Sequence, residues 1–175
     1  MTRGEIFDLK DVRIKIEAVA RVVVRNNEGD IQIRDVEQGV DVKTFEGDIS
    51  VEDSGGAINL DTINGSILVY NVEPKEVGDM LKAKNNSGSV VLQDVQHSVV
   101  EAISISGFIR FTGEIQDSGT YTFNNTSGQI LLTIPKKSSS MIQVLSEKGK
   151  FVYDFPLRVV NENNLSGSMR KLSLQ

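Results

Sequence analysis

The chain of 175 residues has no cysteine and no tryptophan, and only three prolines and one histidine. Without cysteine there is no disulfide, no thiolate nucleophile and no cysteine-bound metal. Long apolar runs are missing as well. No stretch of about 18 apolar residues could cross a bilayer as a helix, and Met1-Thr2-Arg3-Gly4-Glu5 carries no apolar signal core. On this reading the chain is cytoplasmic, or a mature or subcloned piece of a longer one. An excess of positive charge is also lacking: the formal net charge is −5, which argues against a nucleic-acid backbone as partner, since phosphates need clustered Lys and Arg.

What the chain has in abundance is glycine in register. Gly29, Gly47, Gly65, Gly88, Gly107, Gly128 and Gly149 are each followed, at plus two and plus four, by apolar residues: Ile31/Ile33, Ile49/Val51, Ile67/Val69, Val90/Leu92, Ile109/Phe111, Ile130/Leu132 and Phe151/Tyr153. A second apolar pair precedes each glycine by seven and five residues, from Val22/Val24 through to Ile142/Val144. The glycines stand 18 to 23 residues apart, a period that belongs to a coiled chain of stacked repeats. Within a repeat, apolar and polar residues alternate, as in Val40-Asp41-Val42-Lys43. That is the period of a strand. Each repeat therefore reads as two short strands hinged at the glycine, which can take the positive φ or close approach of a tight corner.

One such repeat cannot bury its inner residues, but stacking makes a continuous core, with neighbouring coils about 4.8 Å apart. The expected fold is all-β: a single parallel β-solenoid, right-handed by the usual rule for parallel crossovers, of about eight coils over residues 1–175. Residues 1–20 are expected to supply a first coil and a cap, 21–155 the regular coils, and 156–175 a partial final coil. Asp11-Val12-Arg13-Ile14 matches Asp30-Ile31-Gln32-Ile33, which starts the first coil near Lys10 and leaves Ile6, Phe7 and Leu9 for the cap. Insertions at Asn71–Asp79 and at Pro135–Ser140 read as surface loops.

Three residues before each glycine stand Asn26, Thr44, Thr62, Asn85, Ser104, Asn125 and Ser146, all at an inward parity. Stacked at one corner they form a structural ladder whose side chains can bond the backbone of their own or a neighbouring coil. That reading is preferred to a polar binding line.

The repeats Phe45-Glu46-Gly47-Asp48-Ile49-Ser50-Val51 and Asn64-Gly65-Ser66-Ile67-Leu68-Val69, with Ser127 to Pro135, resemble those of bacterial adhesin-type β-solenoid families that include head GIN domain proteins and related domains of unknown function. The resemblance covers roughly Val12 to Phe155. It implies a parallel β-helix, often associated with the cell envelope or found outside the cell, and it implies no reaction and no catalytic residues.

Chemistry-bearing constellations are sparse. Acidic residues crowd the first coils, and stacked Glu28/Glu46 and Asp30/Asp48 bring like charges to adjacent rungs, which costs stability unless a cation or base intervenes. A solvated acidic face is preferred to calcium binding. A carbohydrate-active β-helix enzyme needs two convergent carboxyl groups across a groove, whereas these acids follow outward strand positions, and Tyr121 and Tyr153 point inward by register. His97 follows Asp94 and precedes Ser98, but neighbours within one turn rarely converge as a triad. It reads as a solvent-facing turn histidine. The sequons at Asn85, Asn125 and Asn164 are better explained by the corner motif. No cofactor, metal or catalytic residue is expected.

One outward series stands apart. Three residues after the glycine, Gln32 and Ser50 give way to Leu68, Val91, Leu131 and Val152, interrupted by Arg110. On a solenoid these align as an apolar stripe, either a candidate surface for a protein or surface-glycan partner or for self-association, or, the preferred reading, a strip covered by an inter-coil loop or by the C-terminal tail from Leu157 onward. The expected function is a non-catalytic, envelope-associated scaffold or adhesin-like module. The alternatives are a self-assembling filament of the bactofilin type and, behind it, the carbohydrate-active enzyme.

Overall fold

The computed structural model describes residues 20–135 with their side chains and, outside that span, the backbone of strands at 4–7, 12–15, 141–146, 157–163 and 168–174. Every described element is a strand. Strands β1 (Gly4–Phe7), β3 (Val22–Arg25), β5 (Val40–Glu46) and β7 (Ile58–Asn64) stack in parallel along one face. Strands β2 (Val12–Lys15), β4 (Ile31–Arg34), β6 (Ile49–Gly55) and β8 (Ile67–Glu73) do the same along a second. The next three, β9 (Met80–Val95), β10 (Val99–Thr112) and β11 (Thr120–Thr133), are long enough to turn the corner and serve both faces. The result is a parallel β-solenoid of about six turns.

Register follows the apolar code. Val22, Val40, Ile58, Leu81, Val100 and Tyr121 form one inward column. Ile31, Ile49, Ile67, Val90, Ile109 and Ile130 form another. Most of these side chains are fully buried, and removing each from water contributes about 1.5–3 kcal/mol. A third inward column was not read from the sequence: Val36, Ser54, Val72 and Val95, seven residues after the glycine, are all buried. Ser54 fits there because its hydroxyl donates to the Glu52 carbonyl at 2.8 Å and accepts the Val36 N–H at 3.2 Å.

Backbone direction alternates with the side chains. Inward residues send their N–H one rung up the stack: Val22 to the Gly39 carbonyl at 3.0 Å, Ile31 to that of Asp48 at 2.8 Å, Val40 to that of Ala57 at 2.9 Å and Ile49 to that of Ser66 at 2.9 Å.

Both ends of the chain depart from expectation. The Gly4–Phe7 segment is a rung and not a cap: β1 pairs in parallel with β3, Ile6 opposite Val24. At the other end parallel pairing among the described residues runs to Thr133. Strands β12 (Met141–Ser146), β13 (Leu157–Asn163) and β14 (Ser168–Leu174) form an antiparallel sheet in the order β12-β14-β13. The chain divides into compact units Met1–Thr133 and Ile134–Gln175. Of the stretch 136–155, expected to continue the coils, only Met141–Ser146 is described, and it pairs antiparallel with β14. Alternation with period two fixes which side of a strand is apolar but not the direction of its neighbour, so Met141–Ser146 satisfies the repeat code with an antiparallel partner. Ser146 lies opposite Ser168 and off the corner column, while Gly149, Val152 and Tyr153 fall outside the described residues.

Candidate partner-binding face and the corners that shape it

The first corner is built around the glycines. A Cβ on Gly47, Gly65, Gly88, Gly107 or Gly128 would lie closer than 3.0 Å to the carbonyl oxygen of the glycine one rung below. Gly47 and Gly88 also hold φ of 128° and 117°, which L side chains rarely adopt. Backbone stacks on backbone here, and no side chain fits between.

The polar column lines the inside of the same corner. Thr62 Oγ1 donates to the Gly47 carbonyl at 3.2 Å, Asn85 Nδ2 to that of Gly65 at 3.1 Å and Asn125 Nδ2 to that of Gly107 at 3.0 Å. Asn26 and Thr44 instead bond within their own rung, to the carbonyls of Glu28 at 2.9 Å and Glu46 at 3.1 Å. Ser104 is buried with its hydroxyl unpartnered, as are the Oδ1 atoms of Asn26, Asn85 and Asn125.

A second corner went unread. Asp35, Asp53, Asn71 and Asp94, each six residues after a repeat glycine, hold φ near 50°, at 57°, 48°, 51° and 52°. Asn and Asp tolerate this left-handed region better than other side chains. The recurrence of Asp or Asn at plus six was the available signal. An open groove of about 640 Å³ lies beside this corner, lined by Asp35, Glu37, Asp53, Asn71, Glu73 and Lys75 among others. Lys75 Nζ sits 2.7 Å from Glu73 Oε1. The hydrogen bond and charge lower the Glu73 pKa and raise that of Lys75.

The stacked acids have a local explanation. The Asp30 carboxylate accepts the Asp48 N–H at 2.9 Å, the Asp48 carboxylate accepts the Ser66 N–H at 2.7 Å, and the Ser66 hydroxyl accepts the Ser89 N–H at 3.2 Å. Each rung thus bonds the backbone of the next. Among the described residues no group of three or more His, Cys, Asp and Glu is placed to hold a metal ion.

His97 is not solvent-facing. It is fully buried, and its Nε2 lies 2.8 Å from the Gly56 carbonyl, while Asp94 is exposed on the corner column. Burial lowers the imidazole pKa, outweighing the Gly56 hydrogen bond and the Asp79 charge. Tyr121 fastens the same region: its hydroxyl donates to the His97 carbonyl at 2.9 Å and accepts the Gln116 N–H at 3.0 Å.

The two outer faces differ in chemistry. The face of β3, β5, β7 and the first half of β9 and β10 is laced by cross-rung ion pairs, Arg25–Asp41 at 3.0 Å, Lys43–Asp61 at 3.4 Å and Lys82–Glu101 at 2.6 Å. Burial would raise the Asp41 carboxyl, but the hydrogen bond and charge of Arg25, with help from Asn59 and Arg21, hold it below the ordinary carboxylate value. The second face turns from polar to apolar along the stack. Gln32, Ser50, Leu68, Val91, Arg110 and Leu131 lie in one column. Leu68 is 41% exposed, Leu131 40%, and Tyr70 beside them 41%. Arg110 places its guanidinium 5.2 Å from the Phe108 ring centroid.

Stacked in-register rungs with glycine and Asx corners define a β-solenoid repeat protein. Residues 54–171, well over half of the chain, match the Toastrack DUF4097 family. The chain belongs to that family, a β-solenoid domain whose function its description leaves open. Comparison with curated proteins and with solved structures returns no match.

Proposed function

We propose that this chain is a non-catalytic scaffold or adhesin-like module of the cell envelope, and that it presents the apolar half of its second face to a protein or surface-glycan partner. The observation that carries this reading is the outward column Leu68–Val91–Arg110–Leu131, apolar but for Arg110 and held in register while its neighbours pack the core. Apolar side chains held in a line on a rigid sheet offer contact area without the entropy cost of ordering a loop. The envelope placement rests on the resemblance to adhesin-type solenoids. Protease shaving of intact source cells tests it: removal of the domain supports surface display, and protection until lysis sinks it. Leu68→Asp with Val91→Asp tests the face, since it should abolish partner binding while leaving the melting temperature close to that of the parent.

A second reading is end-to-end assembly of the bactofilin type, without nucleotide. It is favoured by the last rung, because among the described residues β11 pairs only with β10.

A further inference from the structure

The connection before β10, Gln96-His97-Ser98, is tied to two other connections through one residue. His97 Nε2 donates to the Gly56 carbonyl at 2.8 Å, in the connection before β7. The His97 carbonyl accepts the Tyr121 hydroxyl at 2.9 Å, and that hydroxyl accepts the Gln116 N–H at 3.0 Å, in the connection before β11. Between Gly56 and His97 the stack passes through Val72 and Glu73, whose carbonyls accept the Gln96 N–H at 2.9 Å and the Gly56 N–H at 3.0 Å. The chain then runs out into solvent before β9, where Val77 is fully exposed. The imidazole reaches past this lengthened rung to the one beyond it.

The ring is fully buried, and its Nδ1 is enclosed without a partner. A second proton would put a charged N–H where no acceptor stands, and an unpaired buried charge costs far more than a neutral ring. The charged groups around it do not offset this. Asp79 favours the imidazolium, but its Oδ2 accepts the N–H groups of Lys75 at 2.9 Å and Glu76 at 2.8 Å and makes no bond to the ring. The Lys75 ammonium pairs with Glu73, and Glu76, Asp94, Glu114 and Asp117 are exposed. Gly55, Gly56 and Ala57 offer backbone alone. Burial raises the Tyr121 pKa, so that hydroxyl stays neutral.

We infer that His97 is a proton-operated latch: its protonation drives the ring out of the core and opens the connections before β10 and β11 while the strand ladders stay paired. Histidine suits this role because its charge changes within the mildly acidic range. Escape of the ring breaks its bond to Gly56 and pulls the His97 carbonyl from Tyr121, which frees the Gln116 end of the chain. The opening is local because both ties join connections. The ladders of β10 with β9 and with β11 run through Val99–Thr112 and do not include them. None of these residues belongs to the Leu68 column, so the latch stands or falls independently of the proposed partner.

NMR of the full chain tests it, because a single histidine gives one imidazole signal and amide exchange reads the connections. The open state takes up its proton near the ordinary value of 6.5, so the opening constant should rise about tenfold by about pH 5.5. The expected result is a matching fall in the protection factors of the Gln96, Gln116 and Thr120 amides, which bond Val72, Tyr121 and Ser98. The Gly47 and Ile49 amides at the glycine corner, bonded to Asn64 and Ser66, should keep theirs. This contrast within the parent needs no variant, and in His97→Gln the protection of the first set should not depend on pH. Equal loss at both sets would mean that acid acts on the whole fold, and overturns the latch. So does an imidazole that titrates while every amide stays protected, because the ring then takes its proton in place. Protection that holds in the parent down to pH 5 overturns it as well.

Discussion

His97 donates from Nε2 to the carbonyl oxygen of Gly56 across 2.8 Å, and the two residues are 41 positions apart in the chain. Gly56 precedes β7, the Pro74–Asp79 loop precedes β9, and His97 precedes β10. The ring therefore spans the rung lengthened by the insertion, where Ile58 to Leu81 takes 23 residues in place of the 18 from Val40 to Ile58. Nδ1 is buried without a partner, so the neutral ring fits the site and the imidazolium does not.

Stability should therefore fall with acidification in one window. The folded pKa of His97 is lowered from 6.5, chiefly by desolvation, so the unfolded chain takes up the proton first. Above pH 6.5 both states are neutral and this group adds no pH dependence. Below it, stability drops until the folded pKa is passed. Urea denaturation between pH 8 and 5 should show this loss, and His97→Gln should flatten it by keeping a donor that cannot titrate. An equal slope in both proteins would remove His97 as its source.

The glycine column predicts a contrast between two alanine substitutions. At Gly88 a Cβ would lie 2.7 Å from the Gly65 carbonyl carbon and 3.2 Å from the Ser66 nitrogen, at φ 117°. Gly88→Ala should cost about 3 kcal/mol or more, from strain and collision together. Gly78 has φ 96° but nothing within 4 Å of a Cβ, so Gly78→Ala carries the φ penalty alone, about 1–2 kcal/mol. Thermal unfolding of the pair separates the two terms. Equal losses would show that backbone stacking at the corner contributes nothing.

The solenoid was legible because its strongest signal is local. Val40-Asp41-Val42 announces a strand within three residues, and the spacing of Gly29, Gly47 and Gly65 repeats it at a fixed interval. The second corner was written in the chain as well, at Asp35, Asp53, Asn71 and Asp94. An isolated Asp looks like any surface acid, and only its recurrence six residues after the glycine sets it apart, a signal whose meaning the shared positive φ makes plain. His97 was misread for a different reason. Its turn neighbours predict exposure, but its partner Gly56 lies two rungs away, and that neighbour exists only after the chain has coiled. The outer column of Leu68, Val91 and Leu131 was readable as a line, whereas the change from parallel to antiparallel pairing after β11 was not. Met141–Ser146 keeps the same alternation through the change to antiparallel pairing, so the sequence does not mark that boundary.

The corner ladder yields the last prediction, in which two neighbouring polar residues respond in opposite ways. Asn85 and Ser104 face each other on adjacent rungs and are both buried. Asn85 satisfies the Gly65 carbonyl at 3.1 Å, so Asn85→Ala leaves a buried acceptor without a donor and should cost about 1–3 kcal/mol. The Ser104 hydroxyl has no partner and already bears the desolvation cost of an unpaired polar atom. Ser104→Ala removes that atom with little change of volume, and stability should be unchanged or rise by up to about 1 kcal/mol. Chemical denaturation of both variants checks the pair. A Ser104→Ala variant that loses as much as Asn85→Ala would mean that the hydroxyl is bonded in solution.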